Sequence, residues 1–179
     1  EERWCQTFIT EDNALAEKLV TDARVAFLSF IGSAKVGWYL RSKLAPGARC
    51  ALEHGGAAPV IVDRSADVER IVEPIVKGSY YHAGQVCVSV QRVFVHADRF
   101  EAFVARFAER VEALRVGDPT LASTEVGPLI LPREAERVTS WIDESKTKPL
   151  GGGRISETTL RPAVLVNPPL DARVSRLEV

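Results

Sequence analysis

Apolar residues recur along the chain in two alternating rhythms, short contiguous runs and helical stripes. Residues 24–30 (RVAFLSF), 49–53 (RCALE), 59–63 (PVIVD), 91–96 (QRVFVH) and 163–166 (AVLV) have the length and composition of strands. Between them, apolar positions fall three and four apart. Asp12-Asn13 can cap a short helix with Leu15, Ala16, Leu19 and Val20 on one face. Ser33 heads a second helix through Val36, Leu40 and Leu44, broken by Pro46-Gly47. Asp67 opens a third, striped by Val68, Ile71, Val72, Ile75 and Val76, which Pro74 is expected to bend or interrupt. Asp98 is expected to cap the clearest helix, with Phe100, Phe103, Val104, Phe107, Val111 and Leu114 inward and Gly117 at its end. Residues 132–145 form a further helix with proline in its first turn, followed by a Gly-rich loop over 146–159.

Such alternation predicts an α/β chain whose parallel sheets are covered by helices, with no internal repeat and no low-complexity tract. A length of 179 residues has room for one domain or for parts of two. With 46% hydrophobic and 26% charged residues, the composition is that of an ordinary globular protein. The net charge of −1 leaves no basic stripe for phosphates, which argues against nucleic acid as a partner. No apolar run approaches the ~18 residues that span a bilayer, and Glu1-Glu2-Arg3-Trp4 lacks the character of a signal peptide. Cys5, Cys50 and Cys87 are odd in number and lack CxxC spacing, so neither a disulfide framework nor a metal site is expected, and a cytoplasmic home is. The chain has no methionine and ends on Arg176-Leu177-Glu178-Val179 without a turn or polar tail, and is read as an internal piece of a longer protein.

Three places can carry chemistry. At the junction Gly32-Ser33, a glycine lets the backbone approach a ligand and a helix N-terminus offers N–H groups to a phosphate; the alternative is that Ser33 is an N-cap alone. Glu53-His54-Gly55-Gly56 ends a strand, where a desolvated carboxylate can serve as a base for water; the alternative is a solvated strand-end Glu. Gly84-Gln85-Val86-Cys87 follows Tyr80-Tyr81-His82 in a polar loop, so the Cys87 thiol is expected at a turn as a candidate nucleophile. Cys5 and Cys50, beside apolar strands, read instead as core residues. A hydrolase pair of His82 with Cys87 is the weaker reading, since five residues of loop fix no geometry.

The joint order of FIGSAKVG (30–37), LEHGG (52–56) and GQVC (84–87), closed by Glu178-Val179 as the start of an E-[IV]-F-G-P motif, resembles the aldehyde dehydrogenase superfamily from about residue 8 to residue 179. The resemblance implies parts of two Rossmann-like domains, residues 1–55 ending the dinucleotide-binding domain and 56–179 opening the catalytic one. It implies an NAD(P)-dependent oxidation of a small aldehyde to a carboxylic acid. Cys87 would attack the aldehyde and carry the thiohemiacetal and thioester, and Glu53 would activate the hydrolytic water. Gly32 and Ser33 would meet the cofactor pyrophosphate, Glu178 its nicotinamide ribose, and Gly55, Gly56, Gly84 and Gln85 would shape the turns. A homodimer or homotetramer is expected of the full-length protein.

The chain also departs from the pattern. His54 stands where the E-L-G-G motif has Leu, His82 where many members have Asn, and the loop over 145–153 is short. YHAGQVC with SVQR (89–92) is most like the branch acting on small polar or functionalised aldehydes, such as lactaldehyde or phosphonate aldehydes. Two rival readings are a CoA-acylating dehydrogenase, whose members typically lack the carboxylate at position 53, and a non-catalytic piece or pseudoenzyme that keeps the fold. The isolated 179 residues are expected to be inactive.

Overall fold

The computed structural model describes residues 4–10 and 12–179; the reading of the opening Glu1-Glu2-Arg3 lies outside the described residues. The chain divides into two compact units, Glu1–Gly55 and Gly56–Val179.

In the first unit, α1 (Asn13–Thr21) starts where the Asp12 carboxylate accepts the Ala14 N–H at 2.8 Å. A parallel β-α-β unit follows: β1 (Phe27–Gly32), α2 (Ala34–Lys43) and β2 (Arg49–His54). Strand β1 begins later than the apolar run suggests. Asp22 takes the Arg24 N–H at 2.9 Å and its guanidinium at 2.8 and 2.7 Å, while the Val25 N–H returns to the Asp22 carbonyl at 2.9 Å. That turn consumes residues 22–25. Helix α2 lies on the sheet through Gly37, its one buried residue; a Cβ there would run into the rings of His54 and Phe30. Cys5, expected in a core, is exposed in a stretch with no regular structure, and Cys50 is half-buried.

The second unit holds the main core. Its elements are β3 (Ala58–Val62), α3 (Val68–Tyr80), a 3₁₀ turn (Tyr81–Gly84), β4 (Val90–Val95), α4 (Ala97–Glu112), α5 (Pro132–Glu144), β5 (Leu150–Gly151), β6 (Ala163–Val164) and α6 (Arg173–Arg176). Strands β3 and β4 pair in parallel around α3 as crossover. The apolar stripes of α3 and α4 meet over them, burying Val62, Val72, Ile75, Val76, Phe103, Phe107 and Val111. A smaller cluster of Trp141, Ala172 and Val174 joins α5 to the chain's last residues, with the Arg137 and Arg173 guanidinium groups 4.7 and 5.3 Å from the Trp141 ring.

Four details differ from expectation. Helix α3 runs on through Pro74, so of the two expected effects, a bend or an interruption, the interruption does not occur. Proline removes one helical hydrogen bond, but buried Val72, Ile75 and Val76 flank it and packing outweighs that loss. Helix α4 is capped by His96, whose Nδ1 accepts the Asp98 N–H at 3.2 Å, because the His96 N–H is still spent on the Val62 carbonyl at 2.9 Å as the sheet ends. It stops at Glu112, since Gly117 already donates to the Val126 carbonyl at 3.0 Å in an extended bridge. Finally, the Gly-rich loop contains β5, paired antiparallel to β6 where parallel sheets were expected. Left-handed Gly151, Gly152 and Gly153 (φ 71°, 83° and 111°) let the chain double back locally, and antiparallel pairing needs no crossover helix.

Candidate functional site

The register of β1 on β2 sets Ile31 opposite Glu53 and Gly32 opposite His54, so both sequence-predicted places of the first unit emerge at one C-terminal rim. Gly32 is held by its surroundings as well as its conformation, since a Cβ there would lie 2.7 Å from the Phe30 ring. Ser33 caps α2, its Oγ accepting the Val36 N–H at 3.4 Å. The N-cap alternative is therefore realised, and it does not exclude a ligand. The first turn carries no acidic residue, it contains the exposed Lys35, and its leading N–H groups point away from the helix. These features fit a phosphate.

Glu53 is not desolvated. Alternate residues of a strand face opposite sides, and Glu53 shares the face of Ile31, which is 78% exposed, while Gly32 and His54 turn toward α2. Its carboxylate is open to solvent at the rim. His54 packs edge-on against Phe30 and Trp38, with ring centroids 6.4 and 5.7 Å away, and its Nε2 is buried without a hydrogen-bond partner. An open hollow lined by Trp38, Arg41, Leu44 and Cys50, among others, holds neither Ser33 nor Glu53.

In the second unit, Cys87 sits at a turn closed by the Ser89 N–H on the Val86 carbonyl at 2.8 Å, and its thiol is exposed as expected. The approach to it is strained. His82, Ala83 and Gly84 are consecutively left-handed (φ 49°, 57° and 77°), an arrangement that costs about 1–2 kcal/mol for each non-glycine residue. Gln85 holds that shape. Its side-chain amide donates to the His82 carbonyl at 3.0 Å and the Pro128 carbonyl at 3.3 Å, and its carbonyl accepts the Ile130 N–H at 2.8 Å. His82 is exposed, its ring tilted against Tyr81 with centroids 4.0 Å apart.

Glu178 is exposed and makes no side-chain ion pair among the described residues; its backbone carbonyl accepts from Arg137 Nη1 at 3.3 Å. Sequence reasoning missed both Arg137 and Gln91 as supports of this segment. The signal available for Gln91 was a polar side chain opening the apolar run over 91–96; Arg137 had none. Among the described residues no three His, Cys, Asp or Glu side chains are grouped to hold a metal ion, and no helix is long and apolar enough to cross a membrane.

Two parallel β-α-β units, one with a glycine-led helix N-terminus and the other with a cysteine on a constrained turn, define an α/β protein. The sequence profile of the aldehyde dehydrogenase family matches residues 4–179. The chain belongs to that family. It is 39% identical over 176 residues to 3-sulfolactaldehyde dehydrogenase of Priestia aryabhattai, an alignment covering 96% of this chain and 36% of that protein. Its fold superposes with a TM-score of 0.89 on succinate-semialdehyde dehydrogenase from Burkholderia pseudomallei, at 32% identity, covering 96% of this chain and 37% of the other. The corresponding values are 0.86, 34%, 92% and 36% for glyceraldehyde-3-phosphate dehydrogenase from Methanocaldococcus jannaschii complexed with NADP. The chain thus spans about a third of the length of the proteins it matches.

Proposed function

We propose that the protein containing this chain oxidises a small polar aldehyde to its carboxylic acid with NAD or NADP, and that residues 1–55 end its cofactor-binding domain and 56–179 open its catalytic one. The observation that carries the proposal is the exposed Cys87 thiol on a turn held by left-handed residues and by Gln85. As thiolate, Cys87 forms a C–S bond to the aldehyde carbon, and the carbonyl π pair moves onto oxygen. The Cys87 backbone N–H is the donor offered to that oxyanion. When bound, the nicotinamide supplies hydride acceptance. Glu53 takes a proton from water, whose oxygen adds to the Cys87 thioester; the C–S bond breaks and the thiolate is restored. Gly32, Ser33 and the α2 N-terminus would hold the pyrophosphate, and the exposed Glu178 carboxylate would accept from the ribose hydroxyls.

The test uses full-length protein. Cys87→Ala is expected to abolish NAD(P)H formation from short aldehydes. Glu53→Gln is expected to leave a single burst of NAD(P)H, with the acyl group retained on Cys87 and detectable by mass. Wild-type turnover by Cys87→Ala overturns the proposal, and so does strict dependence of the wild type on CoA.

A further inference from the structure

Gln91 stands near the start of β4, four residues beyond Cys87, and its side chain is committed to a distant stretch of chain. The amide nitrogen donates to the Val174 carbonyl at 3.2 Å and to the Leu177 carbonyl, and the amide oxygen accepts the Val179 N–H at 3.0 Å. Three backbone groups on both sides of Glu178 are thus tied by one side chain to the strand that leaves the nucleophile's turn. Four residues of chain reach at most ~14 Å, so the clamp limits how far the Glu178 segment can stray from Cys87. The segment follows the four-residue helix α6, whose last bond runs from the Leu177 N–H to the Arg173 carbonyl at 2.9 Å; Val179 packs against the Trp141 cluster, and Arg137 donates to the Glu178 carbonyl at 3.3 Å. Gln91 is the side chain that bonds the backbone both before and after Glu178.

An apolar residue at position 91 would pair with the strand equally well, since the ladder of β4 uses backbone groups alone. A glutamine whose donors and acceptor are all spent on the Glu178 segment does more than build a sheet. We infer that Gln91 is a positioning residue. It fixes the backbone that carries Glu178 relative to Cys87, so that the carboxylate is preset for the nucleotide ribose before the nucleotide arrives. The inference rests on the assignment of Glu178 to the ribose made above.

The experiment measures NAD and NADP binding to full-length protein by fluorescence titration, together with the rate at which iodoacetamide labels Cys87 without nucleotide. Glu178→Gln, Gln91→Ala and the double variant are compared. Gln91→Ala is expected to weaken nucleotide binding roughly tenfold, the weight of one or two hydrogen bonds, while Cys87 labelling stays within about twofold of wild type. In the Glu178→Gln background the same change is expected to have little further effect, because Gln91 acts through Glu178. If Gln91→Ala does not fold, Gln91→Glu is used; it keeps the acceptor for Val179 and loses the donors to Val174 and Leu177. Full additivity of the two substitutions, or unchanged nucleotide affinity in the Gln91 variants, overturns the inference. Unchanged affinity in Glu178→Gln instead overturns the ribose assignment beneath it.

Discussion

The side-chain carbonyl of Gln85 accepts the backbone N–H of Ile130 at 2.8 Å, bridging 45 positions of sequence. With its two donated bonds it ties the strained residues before Cys87 to the loop at 128–130. Gln85→Ala removes all three bonds from an exposed site, where each is worth about 0.5 kcal/mol, the low end of the usual range. The Ile130 and Val86 amides are therefore expected to exchange with deuterium about tenfold faster in the variant. Unchanged exchange would show that the loops hold their shape without this side chain.

Tyr80 is half-buried, its hydroxyl donates to the Ala163 carbonyl at 3.0 Å, and burial pushes the phenol well above its ordinary value. Tyr80→Phe leaves that carbonyl unpaired and is expected to cost about 1–2 kcal/mol at neutral pH. A folded-state pKa above the unfolded one means that the unfolded chain loses its proton first. Stability is whole below about pH 10 and declines as pH rises past it. Denaturant melts at neutral pH and near pH 10.5 should show a shallower alkaline decline in the variant.

Arg110 grips both oxygens of Glu73 at 2.6 and 3.0 Å and one oxygen of Glu125 at 3.2 Å. The Arg110 hydrogen bond lowers the Glu73 pKa, and the Arg115 backbone N–H, ahead of Arg110, lowers that of Glu125. Depressed folded-state values give stability that is present above the unfolded value of about 4.3 and lost as pH falls through the folded ones. Glu73 is solvated and Glu125 half-buried, so the effect is modest. Arg110→Met is expected to cost about 1 kcal/mol at neutral pH and to change little near pH 3, flattening the acid limb of a Tm-against-pH curve. An equal loss at both pH values would trace the effect to packing instead.

Phe103 is 3% exposed and stacks on Phe107 with centroids 5.3 Å apart. Phe94, on the outer face of β4, lies under the Arg92 guanidinium at 4.7 Å and is half-exposed. Urea unfolding should therefore show a loss of about 3–5 kcal/mol for Phe103→Ala and under ~1 kcal/mol for Phe94→Ala. Equal losses would mean that the α3–α4 cluster is not the core of the second unit.

Periodicity made α3 and α4 legible because their apolar stripes are buried, and burial is what the pattern records. Their ends were not. Whether Asp98 or His96 caps α4 depends on how far the sheet draws the His96 N–H, a contact with Val62 that local sequence does not contain. At the candidate site, motif order singled out Cys87, Glu53, Gly32, Ser33 and Glu178 as candidates, and the Cys87 turn followed from its polar surroundings. The exposure of Glu53 did not, because it is set by which face of β2 turns toward α2. The side-chain roles of Gln85 and Gln91 were illegible for a simpler reason: apart from the nearby His82 carbonyl, their partners lie more than 40 residues away.

With Gly32 opposite His54 in a parallel pair, changes in chain length are not tolerated equally everywhere. One residue added inside β2 would swing the Glu53 carboxylate beneath the helix and the His54 ring into water. The same residue added at Pro46-Gly47, an exposed tip with open space around Gly47, would be taken up by the loop at a cost that grows only logarithmically with its length. Insertions and deletions, whether engineered or inherited, are thereby channelled to that tip, and a peptide tag spliced there should leave the paired rim undisturbed.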